Sequence, residues 1–221
     1  MCNVGILAYG SLIRDPGSEI EPLIVKRIPT QTPFSVEYAR LSIKRGGGAT
    51  VVPHPDGQTV KSEILLLKQT VSLPIAKDIL WRRETGNEGT GKRYPDGHSP
   101  NSVLVKDWPQ LGGISHVLYT DFPDAGKIAN PNPRQLATAA VASVSKAPAG
   151  KDGISYLIQV SESGVETVLT SKYRVEILRI AEVNTLEEAL EHLQRKTSST
   201  SLDLPFDDQK RCQPLKQPGS I

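Results

Sequence analysis

Near the start of the chain stands the stretch Val4-Gly5-Ile6-Leu7-Ala8-Tyr9-Gly10-Ser11-Leu12. The short apolar run at residues 4–8 predicts a buried strand, and the Gly-Ser that follows predicts a tight turn. A glycine directly after a strand lets backbone N–H groups face outward, and such groups hold carboxylates and phosphates. Taken alone, however, a turn of this kind is more often an ordinary turn than a ligand site.

The region that follows predicts short strands joined by tight turns. In residues 35–44 the apolar positions change phase, which predicts a β-bulge near Ala39-Arg40. Residues 49–53 and 60–71 predict two further strands, bounded by turns rich in glycine and proline. We expect the three strands to form an antiparallel meander, in which the bulge curves the sheet.

Apolar residues at helical spacing predict three helices. The first covers residues 74–83, with Ser72 as its cap. A second begins at Pro133, and a last one follows the capping-box pair Thr185 and Glu188. Pairs of short strands are predicted elsewhere, at residues 103–105 and 116–121 and at residues 154–160 and 165–169.

Composition places the chain among globular proteins. Its 221 residues are 38% hydrophobic and 23% charged, which excludes a membrane bundle and a charge-dominated disordered chain. Length and pattern predict one domain over residues 1–195, followed by a mobile tail over residues 196–221. The net charge of +2 requires no nucleic-acid partner, and no apolar run in the sequence is long enough to cross a membrane.

Cysteine usage and the first residues bear on location. Cys2 and Cys212 are too few for a disulfide framework or for a zinc site made by cysteines alone. The residues after Met1 lack the basic and long apolar stretches of a secretory signal. We therefore expect a reduced, cytoplasmic protein. The histidines form no close-spaced ligand pair, so no metal site is predicted.

Glu84 is a candidate for acid–base chemistry. It continues the row Ala76 and Leu80 on the predicted helix, so the apolar face ends in a carboxylate directed toward the protein. Desolvation disfavours the charged form of a carboxylate, which suits such a group to proton transfer near neutral pH. The alternative is an ion pair at the helix end, with Arg82, Arg83 or Arg93.

Four further segments are weaker candidates for a functional site. Residues 86–92 match the spacing of a phosphate-binding loop, but Arg93 stands where that loop needs serine or threonine, and the segment follows a helix. Lys44-Arg45 and Lys92-Arg93 are typical of solvated ends of elements, although they would receive a substrate carboxylate if the fold brought them to the site. The long polar stretch of residues 85–101 is typical of a functional loop, and we expect it to cover the pocket.

Taken together, these segments resemble the gamma-glutamyl cyclotransferase-like family. Residues 6–13 look like its N-terminal glycine motif, and residues 39–41, 49–53 and 60–67 are similar in order to its next strands. Residues 79–84 look like its short helix with the catalytic glutamate, and residues 116–119 resemble the strand whose tyrosine lines the pocket. The resemblance covers about residues 4–122, and the ordered set is more specific than any one motif.

The resemblance implies an α+β fold, a small closed mixed β-barrel flanked by helices. It also implies that Glu84 is the general acid and base. The residues that it implies for binding a γ-glutamyl group are Tyr9, Gly10, Ser11 and Leu12 in the turn, with Tyr119 as a pocket wall.

The implied reaction is the intramolecular cyclisation of a γ-glutamyl amide to 5-oxoproline and a free amine, without a cofactor. Glutathione, a γ-glutamyl amino acid and a γ-glutamylamine share the part of the substrate that the turn would bind. The alternative is a protein of this fold that binds a small γ-glutamyl-type acid without turnover. A nucleotide-binding protein is a more distant alternative, and both a monomer and a homodimer stay open.

Overall fold

A computed structural model describes residues 3–99 and 101–200, which form a mixed α+β fold. The strands are β1 (Val4–Ala8), β2 (Ile24–Gln31), β3 (Val36–Ser42), β4 (Gly48–Pro53), β5 (Lys61–Leu67), β6 (Leu104–Leu111) and β7 (Ile114–Asp121). The helices are α1 (Leu73–Thr85), α2 (Pro133–Ser143), α3 (Gly153–Glu162), α4 (Thr170–Ala181) and α5 (Leu186–Thr200). Among the short 3₁₀ turns, Gly10–Ile13 and Ile43–Arg45 matter for the site.

The strands are arranged in two sheets. Five strands form one sheet in the order β2-β5-β1-β7-β6, while β3 and β4 form a separate hairpin. The central strand β1 runs antiparallel to β5 and parallel to β7. Because β2 and β6 are edge strands, the five described strands make an open sheet, and the closed barrel stays a prediction.

The structure confirms the first strand and the bulge and corrects the meander. All residues of β1 are buried, and the register of β3 against β4 shifts between Tyr38 and Arg40. The prediction that the three strands form a meander is wrong, because β5 pairs with β1 and β2 in the five-stranded sheet and not with β4. Buried side chains on both faces of β5 favour a place inside the larger sheet.

One strand of the sheet escapes sequence prediction. Pro29 interrupts residues 24–31, and proline argues against a strand in the middle of a sheet. These residues nevertheless form β2, which lies at the edge, where a missing backbone donor is tolerated.

The predicted strands at residues 154–160 and 165–169 are wrong. Residues 154–160 lie in α3, which begins where the Asp152 carboxylate accepts hydrogen bonds from the N–H groups of Ile154 and Ser155. Residues 165–169 form no strand and lead into α4. A short apolar run that is buried on most sides carries no alternation that separates a helix from a strand.

The predicted helices are confirmed with small shifts of their ends. Ser72 precedes α1 in extended backbone without a side-chain cap bond, and Gly86 ends the helix in the left-handed conformation. The capping box of α5 is formed, since the Thr185 hydroxyl accepts from the Glu188 N–H and the Glu188 carboxylate accepts from the Thr185 N–H. The helix α5 continues past Arg195 to its last described residue.

Two predictions for the ends of the chain concern residues that lie partly outside the described ones. Residues 201–221 of the predicted tail and both cysteines, Cys2 and Cys212, fall there. Within the described part of the chain, none of the helices combines the length and the apolar character needed to span a bilayer.

The 3₁₀ turn Gly10–Ile13 lies between two hydrophobic cores. Helix α1 covers one face of the five-stranded sheet, where Leu80 packs in one buried cluster with Ile6 and Leu118. Helices α2 to α5 form a second core with the β3–β4 hairpin. Leu12 belongs to the first core and Ile13 packs against both, so the turn lies where the two cores adjoin.

Candidate functional site

Glu84 and the turn Gly10–Ile13 are joined by one arginine. The last turn of α1 carries Arg83, whose Nη1 donates to Glu84 Oε1 at 2.7 Å and whose Nη2 donates to Ser11 Oγ at 3.5 Å. The side chains of Arg83 and Glu84 are 12% and 21% exposed, so the pair is mostly enclosed. The structure thus brings together two candidates that lie far apart in the sequence.

Both sequence interpretations of Glu84 hold in part. The Glu84 carboxylate is mostly enclosed, as the helical row predicts, and it forms an ion pair with Arg83, as the alternative predicts. Arg83 also donates to the Asp15 carbonyl, which ties the far end of the turn to α1. The neighbourhood of Glu84 is therefore cationic, where the helix pattern alone predicts apolar neighbours.

Gly10 is required by its backbone conformation and by its neighbours. Its φ of +62° is strained for any residue with a Cβ, and a Cβ placed there would lie 2.9 Å from the Tyr156 hydroxyl and 3.1 Å from Val51 Cγ2. The glycine therefore allows the turn to approach α3 and β4 closely.

Tyr156 brings a buried hydroxyl to this turn. The Val51 N–H donates to the Tyr156 oxygen at 3.4 Å, so the hydroxyl proton is left for another acceptor. Burial raises the pKa of Tyr156 to about 12, and the hydroxyl is protonated at neutral pH. Sequence reasoning missed Tyr156 because its segment was predicted as a strand.

Tyr9 and Tyr119 lie on the aromatic side of the turn. The Tyr9 hydroxyl donates to the Thr120 carbonyl at 3.0 Å, and burial, followed by the Glu84 carboxylate, raises the pKa of Tyr9 well above its usual value. The Phe34 ring centroid lies 5.9 Å from that of Tyr9 and 4.6 Å from that of Tyr119. Tyr119 therefore reaches Tyr9, the residue before the turn, only through the ring of Phe34, and none of its described ring contacts involves Glu84.

Three further cations surround the Glu84 end of α1. Lys44 Nζ donates to the Glu84 carbonyl at 3.1 Å, and the Arg45 guanidinium lies 4.2 Å from the Tyr156 ring centroid. Arg40 lies 3.8 Å above the ring of Phe122. Burial lowers the pKa of Arg40 and of Lys44, while the Glu84 carboxylate opposes that shift in both. The opposing effect places both cations within electrostatic reach of Glu84.

The glycine-rich loop after α1 is tied to the segment that follows the turn. The Ser18 N–H donates to the Glu88 carboxylate at 2.7 Å, and the Gly89 N–H donates to the Glu19 carboxylate at 3.1 Å. Residues 86–92 follow helix α1 and do not lead into another helix, which agrees with the sequence argument against a phosphate-binding loop. That residues 85–101 cover a pocket stays a prediction.

Other features of the described residues lie apart from this site. A surface cavity of about 310 Å³ opens between α3, α4 and the start of α5, with Arg174 and Leu186 in its wall. Within residues 3–99 and 101–200, no group of three or more histidine, cysteine, aspartate or glutamate side chains is placed to hold a metal ion.

The chain matches no protein-family model, and no curated protein matches it.

Proposed function

We propose that this protein is a gamma-glutamyl cyclotransferase, with Glu84 as general acid and base. The observation that carries the proposal is the Arg83 guanidinium, which contacts the Glu84 carboxylate at 2.7 Å and Ser11 Oγ at 3.5 Å. A carboxylate for proton transfer and a glycine turn for binding thus lie side by side, although 72 residues separate Ser11 from Arg83. The motif resemblance supports the same assignment.

The reaction needs little beyond positioning and one proton carrier. The α-amine of the substrate attacks its own γ-carbonyl carbon, a C–N bond closes the five-membered lactam, and the C–N bond to the leaving amine breaks. Holding the chain folded for this attack is worth up to about 7–11 kcal/mol. Glu84 would take a proton from the attacking amine and return it to the leaving nitrogen, a contribution on the order of 10²–10⁴-fold.

The groups around the turn suit the remaining tasks. The backbone of the turn Gly10–Ile13 would bind the α-carboxylate and the γ-carbonyl, with Leu12 contributing only backbone because its side chain is buried in the core. The Tyr156 hydroxyl, whose proton is uncommitted among the described residues, would donate to an oxygen of the bound group.

The proposed fold includes the closed barrel of the resembled family. The bulge in β3 supports curvature, and a bridge between Val36 and Gln58 links the β3–β4 hairpin to the segment that leads into β5. The Thr32 N–H donates to the Val60 carbonyl at 2.9 Å, which continues the β2–β5 pairing toward that bridge. The bridge favours a curved arrangement of the two sheets.

The first test is 5-oxoproline release from a panel of γ-glutamyl compounds. We expect release by the wild type and a loss on the order of 10²–10⁴-fold in Glu84→Gln. Glu176→Gln is a matched control, because Glu176 is also a helical glutamate paired with an arginine, at 2.9 Å, and is 26% exposed. Wild-type rates in Glu84→Gln would remove Glu84 from the mechanism.

The ion pair between Arg83 and Glu84 also favours the second candidate, a binding protein without turnover. The Arg83 guanidinium covers one oxygen of the Glu84 carboxylate, which leaves that oxygen less accessible to a substrate amine. Folded wild-type protein that binds γ-glutamyl compounds by calorimetry but releases no 5-oxoproline would establish this alternative.

A further inference from the structure

The tip of the β3–β4 hairpin exposes two aliphatic side chains. Ile43, the first residue of the 3₁₀ turn at the tip, is 93% exposed, and Leu41 is 41% exposed. Ser42 between them is buried, so the two aliphatic side chains lie on the outward side of the hairpin end. A single exposed aliphatic residue is ordinary on a protein surface, but a pair at a protruding tip forms a small surface that a partner can cover.

The loop between α2 and α3 lies beside this tip. A Cβ placed on Gly46, which follows the 3₁₀ turn, would lie 2.9 Å from Lys146 Cβ. A Cβ placed on Gly48 would lie 2.5 Å from Gly153 Cα, at the start of α3. The hairpin tip and the loop between α2 and α3 therefore form one continuous surface.

This surface carries a positive charge. Lys44, Lys146 and Lys151 are exposed, and Lys151 lies within electrostatic reach of Lys44. Residues 41–53 and residues 144–151 contain no aspartate or glutamate. The exposed side chains of this surface, which we call the basic tip, are Leu41, Ile43, Lys44, Lys146 and Lys151.

Two carboxylates near the basic tip are engaged elsewhere. Asp152 follows Lys151, but it is buried and both of its oxygens accept hydrogen bonds at the start of α3. The Glu84 carboxylate pairs with Arg83. Within residues 3–99 and 101–200, no carboxylate forms an ion pair with Lys146 or Lys151. The two lysines therefore keep their charge for a partner.

A protruding aliphatic side chain with lysines around it matches the chemistry of an anionic lipid surface. Aliphatic groups enter the boundary between lipid headgroups and acyl chains, while lysines are attracted to acidic headgroups. A nucleic acid would pair with the lysines but offers no apolar phase for Ile43. A specific protein partner needs a complementary surface of about 1,000 Å² or more, whereas a bilayer accepts a small protruding tip.

We propose that the basic tip docks the protein on membranes that contain anionic lipids, with Ile43 inserted between the headgroups and Lys146 and Lys151 beside acidic lipids. The contact is peripheral and needs no helix that spans the bilayer. It goes beyond the proposed function and does not depend on it, because no residue of the basic tip takes part in the proposed reaction.

The test measures cosedimentation of the full chain with two kinds of vesicle, phosphatidylcholine alone and phosphatidylcholine with about 30% phosphatidylserine. We expect the partition coefficient of the wild type to be at least about tenfold higher on the anionic vesicles in low salt, and to fall steeply at about 0.5 M salt. Ile43→Ser should lower it at least about fivefold on the anionic vesicles. Lys146→Gln/Lys151→Gln should lower it on the order of tenfold. All three side chains are exposed, so circular dichroism should show an unchanged fold in each variant.

The exposed side of α4 supplies the matched control. Val175 is 60% exposed and Lys172 is exposed one turn before it, but Glu176 follows Val175 directly. The variant Val175→Ser/Lys172→Gln removes one aliphatic side chain and one lysine from this mixed surface. We expect its partition coefficient on the anionic vesicles to stay within about twofold of the wild-type value, because this surface lacks the excess of positive charge.

Several outcomes would overturn the proposal. Wild-type protein that does not prefer the anionic vesicles would remove the role of the lysines. Binding that Ile43→Ser leaves unchanged, or that a DNA duplex matches in affinity, would show attraction by charge alone without insertion. An equal loss in the α4 variant would show that the contact is not made by the basic tip. A dimer in sedimentation velocity that Ile43→Ser dissociates would assign the tip to a second copy of the chain.

Discussion

Replacing Gly10 with alanine tests the close approach between the turn and α3. The new Cβ would stand 2.9 Å from the Tyr156 hydroxyl oxygen and 3.1 Å from Val51 Cγ2, closer than packed side chains tolerate. The φ of +62° adds a second cost, since this conformation is unfavourable for residues with a Cβ. Gly10→Ala therefore combines a backbone term and a steric term at one atom.

The backbone and the steric contributions to the free energy of unfolding can be estimated separately. The left-handed conformation costs about 1–2 kcal/mol for an ordinary residue. Overpacking against a buried side chain adds about 1–3 kcal/mol, and Tyr156 is only 4% exposed. We therefore expect Gly10→Ala to lower the free energy of unfolding by about 2–5 kcal/mol.

Urea denaturation of four variants measures both terms. Gly91→Ala is the matched control, because Gly91 has a φ of +69° and no atom within 4 Å of its added Cβ, so it should lose only the backbone term. Tyr156→Phe removes the oxygen that the new Cβ would meet and loses one hydrogen bond with Val51, worth about 0.5–1.5 kcal/mol. The double variant Gly10→Ala/Tyr156→Phe should recover about 1 kcal/mol relative to the sum of the single changes.

The double variant tests whether the Tyr156 hydroxyl is the group that opposes the new Cβ. If the effects of Gly10→Ala and Tyr156→Phe add to within about 0.5 kcal/mol, the hydroxyl is not what opposes the new Cβ. Equal losses in Gly10→Ala and Gly91→Ala would show that the turn is free of steric contact with α3. Either result would refute the packing of the site described above.

Two further substitutions test polar groups that support the fold around the site. Glu37 is 1% exposed, and its carboxylate accepts a hydrogen bond from the Leu169 N–H at 3.1 Å. Glu37→Gln should therefore lower the free energy of unfolding by about 1.5–3 kcal/mol in urea denaturation. The control Glu191→Gln, at an exposed residue, should change it by less than about 0.5 kcal/mol, and equal effects would contradict this role for Glu37. Burial alone would raise the pKa of Asp121, but hydrogen bonds from two lysines, Lys106 among them, lower it overall. The stabilisation that Asp121 provides is then present above the unfolded pKa of about 3.9 and is lost as the pH falls through the native pKa. Asp121→Asn should therefore have a lower free energy of unfolding than the wild type at pH 6 and approach the wild-type value in acid. A difference in the free energy of unfolding that stays constant across this pH range would contradict this linkage.

Local features of the site were predictable from the sequence. The buried run before Gly10 specifies a strand and a turn, because glycine tolerates the backbone conformation that the turn needs. The row that ends in Glu84 specifies which side of α1 the carboxylate occupies, because helical periodicity determines the face. The sequence does not decide whether Glu84 forms an ion pair with Arg83, since side-chain pairing depends on what packs nearby.

The partners of these residues were decided by the tertiary structure. Tyr156 reaches Gly10 only because residues 153–162 form a helix that packs on the β3–β4 hairpin, and a short buried apolar run does not reveal that choice. Likewise, the sequence predicts solvated charges at Lys44 and Arg45, and Lys44 is exposed in the structure. Only the tertiary structure places Lys44 Nζ at the Glu84 carbonyl and the Arg45 guanidinium over the Tyr156 ring.

The first strand, the glycine turn and the helix that ends near Glu84 follow from the sequence, because each depends on interactions within a few residues. The pairing of β5 in the larger sheet, the helical state of residues 153–162 and the cluster of cations at Glu84 follow only from the folded chain. These depend on contacts between residues far apart in the chain, where burial and charge are shared among elements that no local pattern relates.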